Sequence, residues 1–305
     1  MKAGTNLEKI LESGGFAVTA EAGPPKSISA AAVRKKGEIL KNYCDALNVT
    51  DNQTAIVRMS SFAGCVLLKQ QNIDPVMQIV TRDRNRLAIQ SDILGAAALG
   101  IGNVLCLSGD HQKFGNHPGA RGVFDIDSIQ LIQTLKKMRD EKKFLSGDDI
   151  ASEVPLFIGA AANPFSDPYE YQVFRLEKKV NAGADFIQTQ GIFDINRFAA
   201  WMKTVTDMGL DKQVHILAGI IPVKSAGMAR YMKDYVSGIS MPEEILKRME
   251  NSPNAKEEGV KIAVELIEHL KEIPGIHGIH IMAVAWEDIV PVIVENARLM
   301  PRPVV

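Results

Sequence analysis

Residues Pro155–Gln190, PLFIGAAANPFSDPYEYQVFRLEKKVNAGADFIQTQ, carry the clearest signal of the fold. It opens with an apolar run, Pro155–Ala162, continues with a helical pattern, Pro168–Ala182, and ends with a second apolar run, Asp185–Gln190. Neither run shows sustained alternation of apolar and polar residues, which is typical of strands buried on both faces of a parallel sheet. Gly183 stands where the helix should end. The stretch therefore predicts one strand–helix–strand unit.

The same unit recurs outward in both directions along the chain. Amphipathic segments separate the apolar runs, Asp83, Asp167 and Ser240 are expected to cap helices, and Gly209, like Gly183, should end one. There are eight runs of 6 to 8 residues: Phe16–Ala22, Ala46–Asp51, Pro75–Val80, Asn103–Gly109, Pro155–Ala162, Asp185–Gln190, Val214–Ile220 and Gly278–Ala283.

Eight strand–helix units in 305 residues predict an α/β fold of the (β/α)8 TIM-barrel type, with residues 1–305 forming a single domain. The main alternative is a doubly wound open sheet. Such a sheet more often has six strands and a glycine-rich first turn, whereas the first turn here reads EAGPPK over Glu21–Lys26. That turn has no G-x-G-x-x-G, and its two prolines do not suit a pyrophosphate cradle.

Composition excludes several classes of protein. The 35 basic and 36 acidic residues give a formal net charge of −1, so no whole-molecule charge favours nucleic acid or an anionic membrane. Cys44, Cys65 and Cys106 lie far apart and predict neither a zinc nor an iron–sulfur site, and no metal site is expected. Met1–Ser13 has no apolar segment of a signal peptide and no run is long enough for a membrane span, so a cytoplasmic location is expected.

In a barrel, chemistry belongs at the carboxyl ends of the strands. The residues there form a ring of amides and hydroxyls with few charges, in which Glu21 and Asp110 are the carboxylates of interest. The polar residues at or just after the first six strand ends are Glu21, Thr50, Asp51, Gln78, Thr81, Ser108, Gly109, Asp110, Asn163, Gln188 and Gln190. Such a mouth suits a flat ligand that forms hydrogen bonds.

Each prominent residue has a functional and a structural interpretation. Burial would raise the pKa of Glu21 and let it serve as a general acid, or a neighbouring amide could simply satisfy its carboxylate. Asp110 could be a fixed negative charge beside a bound ring, or could cap the following helix. Gln190 could hold the edge of a heterocycle, or could be an interior amide that supports the barrel mouth. Spacing leaves these alternatives open.

A basic group follows the fifth strand. Arg175, Lys178 and Lys179 are spaced i, i+3 and i+4 and therefore share one helix face. The group is either a solvated face or a site for a phosphate.

Taken together, the motifs resemble those of the methylenetetrahydrofolate reductase family, whose members are flavin-bearing (β/α)8 barrels. The segment with the most specific resemblance is KKVNAGAD at Lys178–Asp185, which leads into FIQTQ and Phe193-Asp194. The other segments are TAEAGPPK at Thr19–Lys26, NVTD at Asn48–Asp51, LSGD at Leu107–Asp110, AAANP at Ala160–Pro164 and AGIIPV at Ala218–Val223.

The resemblance implies an activity and roles for residues. A flavin, FAD or FMN, would pass a hydride to 5,10-methylenetetrahydrofolate and give 5-methyltetrahydrofolate, a reaction of one-carbon metabolism that serves methionine biosynthesis or acetogenesis. Glu21 would protonate folate N10, Asp110 would lie beside the flavin and contact the pterin, and Gln190 would hold the pterin edge. The positions expected to contact the cofactor are Thr50, Asp51, Gln78, Ser108, Gly109, Asp110, Asn163, Asp167, Gln172, Arg175, Lys178 and Lys179.

The chain departs from the single-subunit bacterial relatives on the electron-donor side. Ser108 replaces an arginine, Gln78 replaces a histidine near the flavin, a stacking aromatic falls near Met232, and an arginine for the folate tail falls at Trp286. The resemblance is therefore greater to the reductases of acetogens and other anaerobes. It implies a second, cysteine-rich, zinc-binding subunit and electrons from NAD(P)H or, through a partner, from ferredoxin or flavodoxin.

Two other functions compete with this one. A folate-binding barrel of the methyltransferase type would need no flavin, and the residues at flavin positions weigh against it. A subunit without catalysis, serving a larger complex, would have no reason to keep Glu21, Asp110 and Gln190 together.

Overall fold

A computed structural model describes residues 1–305 and shows a closed barrel of eight parallel strands, each paired with the next and the last with the first. The barrel confirms the predicted (β/α)8 architecture over the open sheet. The strands are β1 (Ala17–Glu21), β2 (Ala46–Val49), β3 (Pro75–Val80), β4 (Asn103–Leu107), β5 (Phe157–Ala162), β6 (Phe186–Gly191), β7 (His215–Ile220) and β8 (Gly278–Ile281).

Eleven helices accompany the strands, and four short 3₁₀ turns lie at Gln53–Ala55, Gln112–Phe114, Tyr169–Tyr171 and Glu287–Ile289. None of the helices is both long and apolar enough to cross a membrane. The helices are α1 (Asn6–Glu12), α2 (Ala30–Leu40), α3 (Ser61–Lys69), α4 (Arg86–Ala98), α5 (Ser128–Asp140), α6 (Gln172–Ala182), α7 (Ile195–Asp207), α8 (Ala226–Tyr235), α9 (Glu243–Asn251), α10 (Ala255–Lys271) and α11 (Val290–Asn296).

The three predicted helix caps are wrong: another residue caps one of the helices, and no side chain caps the other two. Asn85 caps α4, while Asp83 instead binds the guanidinium of Arg82. No side chain caps α6 or α9, so neither Asp167 nor Ser240 has that role. The predicted helix ends are confirmed: both Gly183 and Gly209 have positive φ, which glycine adopts without strain.

Helix α1, which the sequence pattern did not reveal, closes the amino-terminal end of the barrel. Its Leu7 and Ile10 are fully buried and pack in one cluster with Phe157 and Phe186 from inside the barrel. The two rings stack with centroids 5.2 Å apart. This plug makes that end apolar and closed, so the opposite end is the one open to a ligand.

Above the plug, the inward-facing side chains change from apolar to polar. Thr19, Asn48, Gln188 and His280 are each at most 3% exposed and form a buried polar layer in the barrel. A polar layer in a barrel core requires hydrogen-bond partners for each group, because an unpaired buried polar group costs about 1–3 kcal/mol. Thr19, Asn48, Gln188 and Nδ1 of His280 find their partners within the layer itself, and the layer forms the floor of the open end.

Candidate active site

A cavity of about 970 Å³ opens at the carboxyl ends of the strands. This volume is at the upper end of the range for sites that enclose a small molecule. Thirteen of the fourteen predicted site residues line it: Glu21, Asp51, Gln78, Ser108, Gly109, Asp110, Asn163, Asp167, Gln172, Arg175, Lys178, Lys179 and Gln190.

Glu21 is the enclosed carboxylic acid of the cavity. It is the last residue of β1, and burial raises its pKa from 4.5 to about 7 against the opposing effect of hydrogen bonds from Gln78 and Gln53. Neighbouring Glu287 raises the pKa further and Lys36 lowers it. The acid therefore exchanges a proton near neutral pH, while still lying on the cavity wall.

Thr50 and Asp51 are less available than the other predicted residues. Thr50 is not among the residues that line the cavity, and its buried hydroxyl has no hydrogen-bond partner. Asp51 lines the cavity, but its carboxylate binds Arg84 at 2.6 Å and accepts a hydrogen bond from the backbone N–H of Val80 at 3.0 Å. Its oxygens hold β2 and β3 together at the mouth.

Helix α6 presents a cationic wall to the cavity. Arg175, Lys178 and Lys179 all line it, and none of the three forms an ion pair with a carboxylate. Burial, helped by the positive charge of Arg175, lowers the pKa of Lys179 to about 8, and its ammonium donates to the carbonyl of Ala161. One wall of the cavity thus carries three basic side chains that have no carboxylate partner in the protein.

Asp110 lies exposed at the rim of the cavity. It does not cap the following turn, because His111 does so. Arg82 fixes its backbone: the buried guanidinium donates to the carbonyl of Asp110 at 3.0 Å and to that of Asn52 at 3.2 Å, while Asp83 binds it on the other side. One arginine thus joins the loops after β2, β3 and β4.

Gln190 reaches the cavity because the β6–β7 ladder is irregular. The register shifts between Gln188 and Gly191, so both Thr189 and Gln190 line the cavity although they are neighbours in the chain. The hydroxyl of Thr189 accepts a hydrogen bond from the N–H of Gly219 at 2.8 Å. Bulges of this kind re-aim side chains beside active sites.

Gln53, Arg82 and His280 are among the cavity residues that sequence reasoning missed. Gln53 and Arg82 lie beyond their strand ends, in loops whose course the sequence does not give. His280 was recoverable from the period-two alternation of β8. Met232 and Trp286 do not line the cavity, and no group of three or more histidine, cysteine or acidic side chains is arranged to hold a metal ion.

Known structures share this barrel. An uncharacterized protein from Clostridium thermocellum that binds two copies of 5-methyl-5,6,7,8-tetrahydrofolic acid superposes with a TM-score of 0.67 at 14% identity, over 97% of this chain and 100% of that one. A 2,3-dimethylmalate lyase superposes with a TM-score of 0.54 at 14% identity, over 99% of this chain and 87% of that one. At such identities the likeness shows the fold alone.

Sequence comparison is more specific. The chain is 24% identical over 236 residues to methylenetetrahydrofolate reductase 1 of Schizosaccharomyces pombe, covering 75% of this chain and 36% of that protein. It is 23% identical over 185 residues to the 5,10-methylenetetrahydrofolate reductase of Salmonella typhimurium, covering 59% and 55%. The chain thus spans only about a third to a half of the curated relatives it matches. The family model for methylenetetrahydrofolate reductase matches residues 6–298, and the chain therefore belongs to the methylenetetrahydrofolate reductase family.

Proposed function

We propose that this chain reduces 5,10-methylenetetrahydrofolate to 5-methyltetrahydrofolate, with a flavin as hydride source and Glu21 as the acid. One observation carries the proposal: in a chain of this family, the cavity at the strand ends is lined by a carboxyl group, Glu21, whose pKa burial raises to about 7. A general acid works best when its pKa lies near the working pH.

The residues of the cavity fit a flavin by their chemistry. FMN and FAD both carry phosphate, and the unpaired cations Arg175, Lys178 and Lys179 offer it three charges. The amides of Gln78 and Asn163 line the same cavity and suit the polar edge of a flat ring. A bound flavin would supply the hydride, and FAD and FMN are both compatible with this donor set.

Glu21 would supply the proton that the folate needs before it accepts a hydride. At neutral pH about half of the Glu21 side chains carry that proton, since the pKa is about 7. Delivered to N10, the proton would open the five-membered ring and leave a carbon that readily accepts the hydride. Enclosure by the cavity wall keeps bulk water from supplying the proton instead.

Asp110 and Gln190 would hold the substrate. Arg82 fixes the backbone of Asp110, which limits the part of the rim that its side chain can reach. The Gln190 carbonyl oxygen accepts a hydrogen bond from the N–H of Gly191 at 3.0 Å, which leaves its NH₂ group directed to other partners. A pterin ring offers acceptors for that amide and donors for the carboxylate.

The experiment is an absorption spectrum of the protein purified with or reconstituted with flavin, followed by anaerobic mixing with NADH. Bleaching by NADH would indicate direct use of a nicotinamide donor. We expect instead that dithionite, but not NADH, reduces the flavin, and that 5,10-methylenetetrahydrofolate then restores its colour. That result would favour ferredoxin or flavodoxin acting through a second, zinc-binding subunit as the donor route.

Failure to bind any flavin would contradict the proposal. It would favour a folate-binding methyltransferase-type barrel or a non-catalytic subunit. If flavin binds and is reduced but is not reoxidised by the folate, the proposed substrate is wrong while the proposed cofactor is still supported.

A further inference from the structure

A chain of hydrogen bonds in the buried polar layer ends at His280. The amides of Asn48 and Gln188 bind each other reciprocally, at 2.7 and 3.0 Å. The NH₂ group of Gln188 also donates to the hydroxyl of Thr19 at 3.1 Å, and that hydroxyl lies 2.9 Å from Nδ1 of His280. All four side chains are buried. Their positions are therefore set by one another and by the barrel.

The donors and acceptors along these hydrogen bonds determine which ring nitrogen of His280 carries the proton. Thr19 already accepts from Gln188, so its single hydroxyl hydrogen is free to be donated. The better acceptor is Nδ1 of His280 at 2.9 Å, because the alternative, the carbonyl of Ile279, is 3.4 Å away. Burial lowers the pKa of His280 to about 3, so the ring is neutral at physiological pH. With Nδ1 accepting, the ring proton is on Nε2.

That Nε2–H is directed to the cavity. His280 lines the cavity, and its Nε2 has no hydrogen-bond partner in the protein yet is not fully buried, so this atom faces the open space of the cavity. His280 pairs in register with Thr19, and Glu21 lies two residues farther along the same inward face of β1. The donor therefore lies on the floor one layer beneath the proposed acid, about 7 Å along the strand direction.

We infer that His280 is a ligand-binding residue of this site: a fixed, neutral donor whose Nε2–H binds an acceptor atom, a ring carbonyl oxygen or ring nitrogen, of the flat heterocycle held in the cavity. Thr19, Gln188 and Asn48 are positioning residues that keep the proton on Nε2. The inference rests on the proposed function for the identity of the ring, which is either the pterin of the folate or the isoalloxazine of the flavin.

Nitrogen NMR of the histidine side chains tests this directly in the wild-type protein at pH 7. We expect His280 to show a protonated Nε2 and a bare Nδ1. Titration with 5-methyltetrahydrofolate alone and with FMN alone should shift the Nε2–H signal with one of the two, and the ligand that does so identifies the ring. A proton found on Nδ1 would overturn the inference, because reversed orientations of both amides would produce that state.

Binding measured in the same samples distinguishes a failure of the role of His280 from a failure of the proposed function. If a ligand binds and the His280 signal does not move with either one, the role of His280 is wrong while the proposed function stands. If neither ligand binds, the proposed function fails, and the binding role of His280 fails with it.

Matched variants test the positioning residues. Thr19→Val removes the hydroxyl, so His280 should become a mixture of the Nδ1–H and Nε2–H tautomers. Thr19→Ser keeps the hydroxyl and should leave the proton on Nε2. His280→Leu should weaken the responsive ligand by about 3- to 10-fold, as expected for one neutral hydrogen bond. His269→Leu, on the exposed face of α10, should not change the affinity. Equal effects of the two leucine variants would contradict a specific contact.

Discussion

Replacing Glu21 with glutamine should stabilise the protein in alkaline solution and slow its proposed reaction with the folate. Burial raises the pKa of Glu21 from 4.5 to about 7, so in the folded state the carboxylate form is disfavoured by about 3 kcal/mol relative to water. The folded pKa lies above the unfolded one. The stabilisation is therefore complete below about pH 4.5 and is lost as the pH rises through 7.

Glutamine has no charge to lose at any of these pH values. The stability of Glu21→Gln relative to wild type should consequently increase by about 2–3 kcal/mol between pH 5 and pH 8.5. For a chain of 305 residues, with an unfolding entropy of about 2.1 cal/mol/K per residue, this corresponds to about 4 °C in Tm. Thermal unfolding at the two pH values measures the effect. The control is Glu244→Gln on exposed α9, which should differ from wild type by under about 0.5 kcal/mol at both.

The same variant tests the chemistry. Its flavin should still be reduced by dithionite, while reoxidation by 5,10-methylenetetrahydrofolate should slow by about 10²- to 10⁴-fold, the usual contribution of a general acid. A Tm difference that does not change with pH would refute the enclosed, protonated carboxyl group. Reoxidation near the wild-type rate would refute the acid role even if the Tm behaves as expected.

Three further substitutions probe the walls of the site. Gly219→Ala would place a methyl group 2.4 Å from a backbone oxygen of the β6 bulge, and it should lower the stability measured by urea unfolding by about 1–3 kcal/mol. The control is Gly227→Ala, which has open space in α8 and should raise the stability by up to about 1 kcal/mol. Lys179→Met should weaken FMN binding in fluorescence titrations. The affinity of the wild type for FMN should fall as the pH rises through about 8, where Lys179 loses its charge. The affinity of the variant should not depend on pH in this range. Arg82→Met should make the loop after Asp110 more sensitive to limited proteolysis, because its carbonyl loses the guanidinium donor; unchanged cleavage would show that other contacts hold that loop.

The fold was predictable from sequence because buried parallel strands leave a strong local signal. All eight apolar runs became strands. The closing helix α1 was not predictable in the same way, since it is only seven residues long and precedes the first strand. The cap prediction failed at α4 because two polar residues, Asp83 and Asn85, lie near the start of that helix. Asp83 binds Arg82, so Asn85 caps the helix, and such a tertiary contact cannot be read from the sequence.

The site was predictable to the extent that it follows from strand ends. The rule that barrel chemistry gathers at those ends identified Glu21, Asp110 and Gln190 without any knowledge of loops. It could not identify Arg82, whose contacts with the carbonyls of Asn52 and Asp110 depend on the course of two loops. Nor could it show that the oxygens of Asp51 are held by protein donors, which only the structure reveals.

In the proposed function, the positions of Glu21 and Asp110 in the barrel, and not their residue types, account for their different roles. Glu21 lies half-buried on the cavity wall at the end of β1, where burial raises its pKa to about 7. Asp110 lies exposed on the rim, where water can solvate a carboxylate at little cost. The raised pKa lets Glu21 hold a proton near neutral pH and release it to a substrate. Exchanging their environments would exchange their roles, so the assignment of Glu21 as the acid depends on the closed wall around it as much as on the carboxyl group itself.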